Sequence, residues 1–200
     1  ASALMQGLAD GYFILPYTIG TYLSNEINKE KISETDSAFD EAEKSVTNKI
    51  DSYLSNNGKR TVESLHRDLG HIMWDNCGMS RTKKGLSKAL KDIKDLKNTF
   101  WKEVKVPGKS NNVNLELEKA DRVADFIELG DLMIRDALER NESCGAHFRE
   151  EYQTDDGEAL RDDKKYSFVS SWENKGNDSP KLHKENLSFE TVTPTQRSYK

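Results

Sequence analysis

The sequence predicts an all-α fold: a three-helix antiparallel bundle, preceded by an apolar N-terminal leader and followed by an extended C-terminal arm with short β-strands. Three observations predict it. Apolar residues recur at spacings of three and four in three long runs. The first 24 residues carry one charge, Asp10. Beyond Arg140 the helical period stops, and Gly, Asn, Asp and Pro become frequent.

The leader comes first. Residues 1–24, ASALMQGLADGYFILPYTIGTYLS, are apolar and aromatic, interrupted by Gly7, Gly11, Pro16 and Gly20. Exposed alone they would form a large apolar patch, which normally marks an interface. They read as a buried segment of a larger body. No uninterrupted apolar run reaches the roughly 20 residues that span a bilayer. The absence of Lys and Arg from the first 25 residues argues against a secretory signal. A chain that starts at Ala1 without methionine reads as processed or as a fragment.

The first helical run places Phe39, Ala42, Val46, Ile50 and Tyr53 on one face, with Asp36 or Ser37 to cap it and Asn57-Gly58 to end it. The second opens at Thr61 and carries Leu65, Leu69, Ile72 and Met73. It breaks at Asn76-Cys77-Gly78, restarts behind Thr82, and continues through Leu86, Leu90, Ile93, Phe100 and Val104 to Pro107-Gly108. The third spans about 114–140, with Leu117, Ala120, Val123, Ala124, Ile127, Ile134 and Leu138. Gly130 lies inside it at a cost of about 1 kcal/mol against alanine, which implies close helix packing. In the arm, YSFVSSW (166–172) and LSFETV (187–192) alternate like strands. The expected division is 1–30 as leader, 31–141 as bundle and 142–200 as arm.

Hydrophobic residues make up 34% and charged residues 32%, so the core is modest. Thirty Lys and Arg against 35 Asp and Glu give a net charge of -5, well mixed, and no nucleic-acid surface is expected. Cys77 and Cys144 have no zinc-like spacing and read as free thiols of a reducing compartment. His66 and His71 are five apart, not the four of a helical zinc motif. His183 sits in a polar loop and reads as solvated. No GxGxxG, P-loop or GxSxG pattern occurs.

The stretch ERNESCGAHFREEY, 139–152, crowds charge around a helix end. Gly145 is placed to take the positive φ of a helix C-cap. Glu142 and Arg149 read as a charge-assisted pair. A general base needs a partner and a pocket, whereas a structural histidine needs one hydrogen bond, so His147 reads as structural. No nucleophile is near. The residues describe an electrostatic latch better than a catalytic site.

This stretch resembles the R-x-ES-R-GAH-x-R-x-D-Y signature near the C-terminus of succinate dehydrogenase and fumarate reductase flavoprotein subunits, through Arg140, Glu142, Ser143, Gly145, Ala146, His147, Arg149 and Tyr152. Arg161-Asp162-Asp163 is similar to the family's RDD. Residues 66–86 resemble R-x-x-L-x-x-x-M-x-x-x-x-G-x-x-R-x-x-x-x-L, with Arg67, Met73, Gly78 and Arg81 in place. ASAL resembles part of R-L-G-x-N-S-L-L, and TQRSYK the short Arg-x-Tyr ending. Cys144 departs from the pattern, where the family usually has arginine.

The resemblance implies the C-terminal portion of such a subunit, with a spectrin-like helical domain. It implies FAD in the full-length subunit and none in the isolated chain, with the catalytic groups upstream of Ala1. Ala3 and Leu4, with Ser2 beside them, match positions whose backbone touches the flavin at a helix start, where free amides favour negative charge. Arg140, Glu142, His147, Arg149, Arg161 and Asp162 become docking residues. The implied partners are the upstream FAD domain, an iron-sulfur subunit and a membrane anchor, on the cytoplasmic face of the cell membrane. L-aspartate oxidase, which has a similar turn, and a free-standing helical interaction module are the alternatives.

Overall fold

The structure is a computed structural model that describes residues 2–176 and 179–195, with Ser2 described for its backbone. The TQRSYK resemblance falls, beyond Thr195, outside the described residues. The chain is mostly helical with a few short strands, and it divides into two compact units, Ala1–Thr47 and Asn48–Lys200.

In the first unit, residues 2–22 form an almost unbroken helical segment. Helix α1 (Ser2–Ala9) widens into a π turn at Asp10–Ile14, narrows at α2 (Leu15–Tyr17) and widens again at Thr18–Tyr22. Pro16 lacks the N–H that would bond four residues back, and a widened turn is one way a helix absorbs that loss. Leu4, Tyr12, Phe13, Tyr17 and Tyr22 are all exposed. Helix α3 (Ser37–Ser55) crosses the boundary of the units, and Asp36 caps it by accepting from the Ala38 amide at 2.9 Å. Its predicted stripe is only partly used: Phe39 and Val46 are exposed, Ile50 is half-buried and Tyr53 is buried.

The second unit corrects the helix assignment. The run read as one interrupted helix is two. Strand β1 (Arg60–Thr61) leads into α4 (Val62–Cys77), and α5 (Lys83–Glu103) leads into β2 (Val104–Lys105). β1 and β2 pair in parallel, Arg60 with Val104, so α4 starts where α5 ends and the two helices run antiparallel. Thr61 caps α4 by accepting from the Ser64 amide at 3.2 Å, and Thr82 caps α5 from the Gly85 amide at 3.0 Å. Val104, expected in a helix, is the first strand residue. Asn114 caps α6 (Leu115–Glu139).

Helices α4, α5 and α6 pack on one another around Leu65, Leu69, Leu86, Ile93, Phe100, Val123, Ile127 and Ile134. Burying one such side chain stabilises by about 1.5–3 kcal/mol. Gly130 makes the approach possible: a Cβ there would lie 2.8 Å from Ile93 Cδ1 and 3.3 Å from Met73 Sδ.

After a single turn, α7 (Asp163–Tyr166), strand β3 (Phe168–Glu173) pairs antiparallel with β4 (Lys181–Asn186). The second strand is KLHKEN, not the predicted LSFETV. In β3 Phe168, Ser170 and Trp172 form the less exposed face, but β4 is exposed except at Leu182, so its alternation carries little register information, and Leu187 closes the ladder by donating to the Ser167 carbonyl at 2.9 Å. The hairpin leans on α6: Trp172 Nε1 donates to Asp136 at 3.0 Å and Lys184 pairs with Glu139 at 2.6 Å. His183 lies in β4 rather than in a loop, and it is exposed, facing Glu173 at 2.7 Å. No helix of the described residues is long and apolar enough to cross a membrane.

Candidate functional site: a buried polar corner after α6

Helix α6 ends at Glu139, with Arg140 in extended conformation. Gly145 does take positive φ, 59°, but in the tight turn beyond the helix rather than as its C-cap. Cys144 and His147 exchange backbone hydrogen bonds of 2.8 and 3.1 Å across that turn, and Cys144 itself is exposed. The chain then runs back along the loop between α4 and α5. Arg81 N donates to the Phe148 carbonyl at 3.0 Å, and Glu150 N donates to the Arg81 carbonyl at 2.9 Å. Ser80 and the Lys83 amide donate to Glu150 and Glu151, each at 2.6 Å. Glu151 thus sits at the start of α5, where the helix dipole favours a negative charge.

The interior of the corner is polar. Glu142, Ser143 and Arg149 are 2%, 0% and 1% exposed. The pairing read from the sequence, Glu142 with Arg149, is not what forms. Glu142 accepts from Arg140 Nη2 at 3.0 Å and from the Asp162 amide at 2.9 Å. Arg149 donates through Nε to Glu151 at 3.1 Å and through Nη1 to the carbonyls of Ala137 and Arg140 at 3.0 and 3.4 Å. The cause is topological: once the chain reverses at Gly145, Arg149 faces the end of α6 and its own neighbour Glu151, while Glu142 faces the segment leading to α7. Arg149 also lies over the ring of Tyr152, 5.5 Å from its centre.

His147 is held at both ring nitrogens. Nε2 lies 3.0 Å from the Arg140 carbonyl and Nδ1 lies 2.9 Å from Arg81 Nη1. A carbonyl only accepts and a guanidinium only donates, so the ring is the neutral tautomer with its proton on Nε2. Burial pushes the His147 pKa below the ordinary histidine value. Arg81, Arg149 and Arg140 push the same way, and the Arg140 carbonyl opposes them.

Arg161 grips Asp163 through Nε and Nη2 at 2.6–2.9 Å and donates to the Thr195 carbonyl at 3.2 Å. Asp162 caps α7, and its carboxylate pairs with Lys165 at 2.8 Å. The structure therefore joins Arg140, Glu142, His147 and Arg149 in one network and ties Asp162 to it through Glu142. Ala3 and Leu4 lie in the first turn of α1, in the other unit. Arg81, Ser143 and Glu151 are essential members of the network that were not predicted as site residues. Their partners lie 66, 6 and 68 residues away, beyond any local spacing signal. Among the described residues no cluster of His, Cys, Asp and Glu could hold a metal ion.

A family model described as the fumarate reductase flavoprotein C-term matches residues 66–199. The chain belongs to that family. The match takes in α4 from residue 66, all of α5 and α6, the corner and the hairpin. The fumarate reductase flavoprotein subunit of Helicobacter pylori is 31% identical over 150 residues, covering 73% of this chain and 20% of that protein. The succinate dehydrogenase flavoprotein subunit of Bacillus subtilis is 24% identical over 200 residues, covering 100% of this chain and 33% of that protein. A solved quinol-fumarate reductase with menaquinol molecules shares the fold, with TM-score 0.69 and 21% identity over 82% of this chain and 28% of that one. The chain thus spans about a fifth to a third of the length of these relatives.

Proposed function

We propose that the chain is the C-terminal portion of the flavoprotein subunit of a succinate dehydrogenase or fumarate reductase. In that reading the whole protein interconverts succinate and fumarate and exchanges electrons with quinone through FAD and iron-sulfur centres. Residues 1–30 end the FAD-binding domain, 31–141 form the helical domain, in which α4, α5 and α6 are the packed helices, and 142–200 form the C-terminal arm. The partners are the upstream FAD domain, an iron-sulfur subunit and a membrane anchor, and the subunit sits peripherally on the cytoplasmic face of the membrane.

The flavin is tested against the chain's own residues. The first-turn amides of α1 have no intrahelical acceptor, and no acidic side chain lies in that turn. Backbone N–H groups at Ala3 and Leu4, beside Ser2, therefore suit a negatively charged flavin edge. Bound FAD supplies hydride and single-electron transfer; this chain contributes amides and a positive helix end.

The observation that carries the role of the corner is its closure. His147 has both nitrogens engaged and Arg149 is 1% exposed, so neither has a free atom to offer a substrate. Arg140, Glu142, His147, Arg149 and Asp162 fasten the arm to the helices, Arg161 ties the arm to itself through Asp163 and Thr195, and together they hold the domain in shape for docking. Expression of the full reading frame beside this chain tests the proposal. The full product is expected to bind FAD and reduce fumarate with a reduced dye, and this chain to do neither. Stoichiometric, tight FAD binding by the chain alone would overturn it.

A further inference from the structure

Beside the corner, between α6 and the hairpin, lies a shallow depression of about 440 Å³ lined by Arg81, Met133, Asp136, Arg140, His147, Ser170 and Trp172 among others. Three features set it apart. Arg81 donates through Nε to the Gly78 carbonyl at 2.9 Å and through Nη1 to the neutral His147 ring, and among the described residues no carboxylate pairs with it. Asp136, the acid of the lining, is engaged by Trp172 Nε1 at 3.0 Å. Among the described residues, the buried side-chain polar atoms without a partner are Arg140 Nε and Ser170 Oγ, and both residues belong to this lining.

Such atoms are ordinarily satisfied, because leaving a buried donor unmade is costly. A half-buried guanidinium whose hydrogen-bond acceptors are all neutral favours a directly bonded anionic partner. The two residues with orphaned groups and a guanidinium without a carboxylate partner line one concave surface. We infer that this depression is a binding site for a carboxylate, with Arg81 as its counter-charge and Ser170 and Arg140 as donors. The planar fork of arginine matches a planar carboxylate. Ser170 turns its hydroxyl toward the ligand by rotation about one bond. The inference rests on this geometry alone and stands or falls separately from the proposed enzyme.

The ligand is either a free carboxylate or an Asp or Glu side chain of an adjoining protein body. Acetate, titrated into the purified chain at constant ionic strength against chloride, is the probe, read by NMR at the arginine Nε–H groups and the Trp172 indole N–H. Saturable shifts confined to Arg81, Arg140 and Trp172 are expected, weakened roughly ten- to a hundredfold in Arg81→Gln. Ser170→Ala, whose hydroxyl takes part in none of the corner's hydrogen bonds, should weaken binding several-fold with the amide spectrum unchanged. Arg81→Lys, keeping charge but losing the fork, replaces Arg81→Gln if that variant does not fold, and it too should bind more weakly. Shifts that persist in the full-length subunit identify a free carboxylate. Shifts seen in the chain and absent from the full-length subunit identify a side chain of the adjoining body. Non-saturating shifts, shifts spread over surface lysines, or unchanged affinity in both Ser170→Ala and the Arg81 variant would overturn the inference.

Discussion

Ser143 and Arg149 exchange two hydrogen bonds across the reversed chain. The Arg149 amide donates to Ser143 Oγ at 2.8 Å, and Ser143 Oγ donates to the Arg149 carbonyl at 3.1 Å. Both residues are buried, so water cannot replace either bond. Ser143→Ala strands the Arg149 amide, while the Arg149 carbonyl keeps the Tyr152 amide as a donor at 2.8 Å. It is expected to lower the stability of the chain by about 1–3 kcal/mol, measured by urea denaturation. A loss near zero would mean that the turn opens freely to solvent.

Arg149→Ala should cost more. It removes the donor to the Ala137 carbonyl at the end of α6 and the partner of Glu151. Loss of one member of a fully buried ion pair reaches roughly 3–5 kcal/mol. Glu151 keeps 40% of its side-chain surface in water, so its stranding is screened, and the lower end, about 3 kcal/mol, is expected. A drop below that for Ser143→Ala would place the strength of the corner in its backbone bonds instead.

His147 gives the chain a pH dependence of known sign. Its folded pKa lies below the ordinary value of about 6.5. From there downward the unfolded chain takes up a proton that the folded chain resists, so stability is full above about pH 6.5 and declines as pH falls toward the folded value. In thermal melts between pH 5 and 8, His147→Gln should flatten this decline. An unchanged slope would assign the dependence to the carboxylates.

Two glycines should respond differently to alanine. A Cβ at Gly58 would lie 2.1 Å from the Glu103 carbonyl oxygen, and backbone cannot step aside. Gly58→Ala is expected to destabilise by about 1–3 kcal/mol. At Gly130 the nearest atoms are the ends of Ile93 and Met73, which can turn. The gain in helix propensity, about 1 kcal/mol, largely offsets that adjustment, so Gly130→Ala should fall near neutral. Parallel melts of the two variants decide.

Local chemistry made the helix starts legible. Of Asp36 or Ser37, read as alternatives, Asp36 is the cap; Thr61, read as the start of the second run, caps α4; and Thr82 caps α5 as read. The interior glycine of α6 was legible for the same reason, since its cost demands a close neighbour. The reversal at Gly78 was legible only as a break: whether a helix resumes or turns back depends on β1 pairing with β2 across 44 residues. The α3 stripe was misleading because α4 and α5 together fill the places next to α6. At the corner, residue types announced an electrostatic latch, but many acids lie within reach of Arg149 along the chain. Only the turn at Gly145 selects Glu151 and leaves Glu142 to Arg140.

The most direct test of a fastening corner is His147→Gln in the full-length subunit, with melting temperature and fumarate turnover per bound FAD measured on the same preparation. The ring is closed by Arg81 and the Arg140 carbonyl, so melting temperature and assembly yield should fall while turnover per flavin stays close to that of the unmodified protein. Unchanged stability with turnover abolished would make His147 a proton-transfer residue and contradict the fastening role.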